Sequence, residues 1–149
     1  MYPSSTALQQ RIEEPRLECP ECGHFAVSTK MTPHTFAYGN GKEAVQITAT
    51  LPLRVCGHCE FEYYDKEGQT AQHEAVCRHL GVMTPTEIRR LREDLGLSRA
   101  EFADLTGLGD ATVARWERGA LIQNIGNDRY LRLLGSHKNV EHLRKAMSV

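Results

Sequence analysis

No run of apolar residues in the 149-residue chain comes near the ~18 that a membrane-crossing helix needs. The opening MYPSSTALQQRIEEP also lacks the apolar core of a secretory leader. These two absences predict a cytoplasmic protein with no membrane partner. Strong charge of one sign is missing as well: 18 Lys and Arg stand against 19 Asp and Glu, a formal net charge of −1. A chain so balanced is not coated in phosphate contacts. No nucleophile, base and orienting residue group together and no nucleophile elbow surrounds a serine, so catalysis is not expected. With 40% hydrophobic and 25% charged residues, the composition is that of a globular protein of one domain or two small ones.

Cysteine is scarce, five residues in all, yet four of them come as matched pairs. Cys19-Pro20-Glu21-Cys22 and Cys56-Gly57-His58-Cys59 are thiolate turns whose glycine or proline lets backbone amides point at the sulfurs. Disulfides would need an oxidising compartment, and a redox Cys-x-x-Cys would stand alone beside a βαβ pattern. Neither condition is met. The spacing predicts a closed structural Zn²⁺ site made by Cys19, Cys22, Cys56 and Cys59, with no coordination position left for a hydrolytic water. His24 and His58 lie close enough in sequence to replace a thiolate. Cys77 reads as a small buried apolar residue on a helix.

Taken in order, residues 1–17 are polar, carry two prolines and read as a mobile extension. Residues 18–66 form a small zinc-stapled β domain. Alternation over His34–Tyr38, a turn at Gly39-Asn40-Gly41-Lys42, a β-branched run over Ala44–Leu53 and the segment Phe61–Tyr64 supply its strands. A unit this small buries little apolar area, and a metal supplies the missing folding free energy. Residues 67–83 read as a helical linker, with a helix from about Gln69 to Leu80 interrupted at Gly81-Val82-Met83. His34, His73 and His79 read as surface residues. Five short helices then fill 84–149, the first opened by the capping signal Thr84-Pro85-Thr86-Glu87 and the fourth by Asn127-Asp128. The last starts near Asn139, and the final two are expected to form a dimer surface. The fold class is α+β.

The stretch LSRAEFADLTGLGDATVARWERG, Leu97–Gly119, organises the second half. Ser98 with Glu101 reads as a capping box, Gly107 as a left-handed turn, and Ala103 as the small residue over which a second helix crosses. Val113 and Trp116 face inward, leaving Asp110, Ala111, Thr112 and Arg115 on a polar outer face suited to a DNA groove. The electrostatics agree weakly, because residues 1–83 sum to −3 and residues 84–149 to +2. Arg115 is the base reader, its planar fork matching guanine O6 and N7. Thr112 suits a thymine methyl or a phosphate, and Ala111 an apolar contact. Asp110 either accepts from a cytosine amine or favours its own helix N-terminus. Ser98, Arg99 and Arg118 stand where phosphates are met. Glu117 reads as an internal ion-pair partner, and Arg89, Arg90 and Arg92 are left open between solvation and contact.

Leu-Ser-x-Ala-Glu-Phe-Ala, Gly-Leu and Thr-Val-Ala-Arg-Trp-Glu-Arg-Gly resemble the helix-turn-helix of the Cro/C1-repressor (Xre) family, which implies a five-helix, lambda-repressor-like domain. Joined to Cys-Pro-x-Cys, Val-Cys-x-x-Cys-Glu and Thr-Pro-x-x-Ile-Arg-x-Leu-Arg, the whole is similar to the MqsA-type (YgiT-type) antitoxins over roughly residues 18–135. That resemblance implies zinc on Cys19, Cys22, Cys56 and Cys59. It also implies toxin binding by the N-terminal domain, the toxin commonly being an mRNA-cleaving ribonuclease, and a C-terminal homodimer repressing its own operon at a palindromic operator. In one well-known member of the family an asparagine and an arginine of the recognition helix read bases. Arg115 matches the arginine and Ala111 takes the asparagine's place. A solitary Xre-type regulator with a structural zinc domain is the alternative.

Overall fold

The computed structural model describes residues 16–148. Three antiparallel strands, in order β1-β2-β3, are β1 (Val27–Tyr38), β2 (Val45–Cys56) and β3 (Glu62–Tyr63). Six helices follow: α1 (Lys66–Leu80), α2 (Pro85–Asp94), α3 (Arg99–Thr106), α4 (Asp110–Glu117), α5 (Ile125–Leu133) and α6 (His137–Met147). The layout is α+β, as expected, with five of the helices after residue 84.

β1 and β2 form a hairpin in which Val27 pairs with Cys56 and Tyr38 with Val45. Its strands are longer than the sequence predicts, because pairing begins directly at the cysteine turns. The expected N-terminal extension falls largely on 1–15, outside the described residues. Leu17, assigned to that extension, instead bridges to Val27, with N···O distances of 3.3 and 3.2 Å.

The segment read as a helical linker starts its helix three residues early, at Lys66. Asp65 is the reason: its Oδ1 accepts from the N–H groups of Glu67 and Gly68, satisfying the first turn. Its Oδ2 accepts from Arg54 Nε of β2 at 2.8 Å, and Arg54 Nη2 donates to Glu67 at 2.6 Å. Arg54 also bonds Thr29 of β1. Burial pushes the Asp65 carboxyl up, but Arg54 and the two amides hold it below its ordinary value. α1 is thus tied to the sheet. Gly68 allows the approach, since a Cβ there would lie 3.2 Å from the Tyr64 side chain and 3.5 Å from the Pro52 carbonyl. Cys77 is buried on this helix, in line with its helical spacing.

The hydrophobic interior is divided. Cys19, Val27 and Cys56 form one small buried cluster, whereas Ile88, Phe102, Val113, Trp116, Leu131, Leu134 and Val140 form a separate, larger one among the helices after 84. α2 carries a complete capping box, Thr84 Oγ1 accepting from Glu87 N and Glu87 Oε1 from Thr84 N, both at 3.3 Å. α5 begins before its expected Asn127-Asp128 cap. Asn124 is the capping residue, accepting from Asn127 N at 2.8 Å. Asp128 is freed for another role: 1% exposed, its Oδ1 accepts from Met83 N at 2.7 Å and Gln123 Nε2 at 3.1 Å. Its Oδ2 accepts from Arg132 Nε at 2.7 Å. α6 starts at His137 rather than Asn139, with Ser136 as its N-cap.

Candidate functional site

The two cysteine turns are built alike. In the first, Gly23 N donates to Cys19 O and Cys19 N to His24 O, both at 2.9 Å; in the second, Glu60 N donates to Cys56 O and Cys56 N to Phe61 O, both at 3.0 Å. Each needs a left-handed residue just after its second cysteine. Gly23 supplies it at φ +75°, and Glu60 takes the same region at φ +64°. β1 and β2 then bring the turns together through the Val27–Cys56 pairing.

Four sulfurs converge as a result. Cys19 Sγ lies 3.6 Å from Cys59 Sγ, and Cys22 Sγ 3.7 Å from Cys56 Sγ. A tetrahedron with metal–sulfur bonds of ~2.3 Å has edges of roughly 3.8 Å, so the spacing fits four thiolates about one metal ion. The amides of Cys59 and His58 point at Cys56 Sγ from 3.5 and 3.4 Å, which lowers its pKa to about 6 against the effect of burial. At Cys59 the Phe61 amide acts downward, but burial and the three neighbouring thiols win and push it up to about 12. Four adjacent thiols resist joint ionisation. A cation removes that repulsion.

His24 and His58 are closer to this cluster than sequence spacing alone establishes. With Cys22 they form a second group whose ligand atoms lie within 4.8 Å of one another. Their rings stack face to face, centroids 3.6 Å apart, and His24 Nδ1 lies 3.2 Å from the Cys22 carbonyl. Parallel rings point their nitrogens side by side rather than at a common centre. The four-cysteine set is the better-formed one.

In the second half, α3 and α4 are joined by Gly107-Leu108-Gly109. Ser98 Oγ accepts from Glu101 N at 3.2 Å, so Ser98 caps α3; the reciprocal half of the expected capping box is not formed among the described residues. Gly107 takes φ +74° and donates to the Ala103 carbonyl at 2.9 Å. Thr106 holds the turn together: its hydroxyl accepts from Leu108 N at 3.2 Å, and its carbonyl accepts from Tyr130 Oη at 2.9 Å.

Val113 and Trp116 are buried, while Asp110, Ala111 and Arg115 are exposed and Thr112 is half-buried. Ser98 and Arg99 are exposed at the start of α3, and Arg118 just after α4. Among the described residues, Arg99, Arg115 and Arg118 enter no ion pair. Glu117 is internal, accepting from Arg92 Nε at 2.8 Å. Arg92 also donates to Leu97 O at 2.9 Å and Arg89 to Glu117 O at 3.2 Å, so two of the three α2 arginines hold α2 against its neighbours. Arg90 is exposed.

Sequence reasoning missed two polar centres, Arg54 with Asp65 and Asp128 with Met83 and Gln123. Asp65 carried a readable signal, an aspartate just before a helical run. Asp128 carried none, because its partner amide is 45 residues away.

The fold and the sulfur cluster define a class: a small metal-binding β unit followed by a bundle of short helices, two of them joined by a tight turn. The model of the family described as the antitoxin component of bacterial toxin-antitoxin system, MqsA, matches residues 17–144, and the chain belongs to that family. A comparison with curated proteins found no match. Among the described residues no helix is long and apolar enough to cross a membrane.

Proposed function

We propose that the chain is a cytoplasmic, non-catalytic antitoxin and autorepressor. The family match over residues 17–144 carries this reading. Cys19, Cys22, Cys56 and Cys59 hold a structural Zn²⁺, for which four sulfurs at tetrahedral spacing are the preferred donor set. The zinc-bearing half binds the cognate toxin, an mRNA-cleaving ribonuclease. Two large apolar side chains of this half, Phe25 after the first cysteine turn and Met31 on β1, are exposed at 67% and 59% and are available for an apolar contact with the toxin. The helices after 84 form a homodimer on a palindromic operator. Leu133 and Met147, 59% and 54% exposed on α5 and α6, supply its apolar contact. Co-expression with the product of the adjacent gene tests the toxin assignment: rescue of growth and co-purification are expected, and the absence of both overturns it.

α3 and α4 are the helix-turn-helix, with α4 in the major groove. Arg115 reads guanine, Ala111, Thr112 and Asp110 line the same face, and Ser98, Arg99 and Arg118 meet phosphates. Arg115→Ala weakens binding to the chain's own promoter by ~1–3 kcal/mol more than binding to random duplex. Arg99→Ala weakens both about equally and lowers the salt slope by ~1. Gel-shift titrations at several salt concentrations measure both effects, and equal losses on both duplexes from Arg115→Ala would move that side chain to the phosphate set.

A further inference from the structure

A cleft of about 510 Å³ separates α1 from the start of α2 and the end of α4. Lys66, Gln69 and His73 line it from α1, Thr86 and Arg89 from α2, and Arg118 from the residue after α4. Its lining thus carries three cations, Lys66, Arg89 and Arg118, against one acid, Glu117. Among the described residues, Lys66, Arg89 and Arg118 have no carboxylate partner. The one acid at the wall, Glu117, is buried and already neutralised by Arg92. The two sides approach closely at one point. Gly119, at φ +72°, leaves room for the His73 ring, which a Cβ would meet at 3.4 Å.

We infer that this cleft binds a small phosphoryl-bearing anion, from pyrophosphate to a nucleoside diphosphate in size, that bridges the sheet-associated helix and the helical bundle. The chemistry is complementary on three counts. Lys66 is a mobile point charge, Arg89 and Arg118 are planar forks suited to phosphate oxygens, and Gln69 and Thr86 add neutral donors. The volume lies within the range of small-molecule sites, and walls from α1 on one side and α2 with the end of α4 on the other let a small ligand be met from both. Arg118 gains a second role. Under the DNA-binding reading it also meets a backbone phosphate, so a bound anion competes with DNA for that side chain.

Calorimetric titration of the full-length, metal-loaded protein with sodium pyrophosphate at low ionic strength tests the site without any DNA present, so its failure is distinct from failure of the repressor reading. Lys66→Gln and Arg89→Gln are each expected to weaken pyrophosphate binding about tenfold, the loss of one charge-assisted contact. Lys145→Gln on exposed α6 should leave it unchanged. Lys66 is exposed and unpaired among the described residues, so its replacement keeps the test valid even where Arg89→Gln, which loses its bond to the Glu117 carbonyl, lowers the melting temperature. No binding by the unaltered protein, or equal affinity in all three variants, overturns the inference. So does a result in which Lys66→Gln lowers affinity for random duplex but pyrophosphate does not bind, which makes the cleft wall part of a DNA backbone contact.

Discussion

Cys56→Ser yields a protein that purifies without a stoichiometric metal ion and whose β1–β3 sheet is unfolded, while α2–α6 keep their helical signal and melt as a separate unit. The cysteine contributes twice. Its sulfur is one corner of the four-thiol cluster, and its backbone is paired to Val27 and closed onto Phe61, so the site and the hairpin end are the same atoms. At the cysteine turns the buried cluster has only Cys19, Val27 and Cys56 at its centre, so this end of the sheet has little apolar area to hold it without the metal, although Ile47 and Leu51 are buried further along β2. Structural zinc in comparable small sites is worth ~10–16 kcal/mol of apparent binding free energy, which in such a unit is folding free energy. Survival of the helices follows from the separation of the two interiors, since none of the buried residues of the larger cluster precedes Ile88. Metal analysis combined with amide-resolved NMR measures the outcome. Addition of a strong chelator to the unaltered protein should reproduce it. A folded sheet in the metal-free variant, or one joint loss of both halves, contradicts this account.

The second large effect is at Asp128. Asp128→Ala should destabilise the helical half by about 3 kcal/mol, equivalent to a fall in melting temperature of roughly 12–24 °C for a unit of this size. The ion pair itself contributes little of that, because Arg132 is half exposed to solvent. Most comes from leaving the Met83 amide without an acceptor in a buried place and from taking from Gln123 Nε2 one of its two acceptors, the Met83 carbonyl being the other. Burial raises the Asp128 pKa, but Arg132, the Met83 amide and Gln123 outweigh it and hold the carboxyl below its ordinary value. A carboxyl depressed in the folded state adds stability that is complete above the unfolded value of ~4 and is lost as pH falls through the lower folded value. Acid melting curves should therefore steepen below about pH 4 in the unaltered protein. Asp128→Asn should flatten them while costing less than alanine, because the amide retains an acceptor oxygen. Unchanged acid sensitivity in Asp128→Asn would remove Asp128 from the explanation.

These two sites show what sequence makes legible. The cysteine cluster was readable because its information is local: paired spacing fixes each turn, and the turn chemistry fixes where the sulfurs point. The same holds for Gly107, Ser98 and the inward Val113 and Trp116, whose roles depend on the three or four residues around them. Element starts were less legible. Lys66 and Ile125 open their helices because Asp65 and Asn124 cap them, and both caps compete in the sequence with other polar residues nearby. Asp128 looked like such a cap and became a buried acceptor, since only the folded chain brings Met83 beside it. The cation-lined cleft was invisible for the same reason, its walls coming from three separate segments, 66–73, 85–89 and 117–119.

The connector between α1 and α2 is Gly81-Val82-Met83-Thr84, and α5 holds it at two points: Arg132 donates to the Gly81 carbonyl at 3.3 Å, and Asp128 accepts from the Met83 amide. Mechanically this is a latch rather than a tether. Freeing this connector from α5 requires both the Asp128 carboxylate and the Arg132 guanidinium to let go of the backbone.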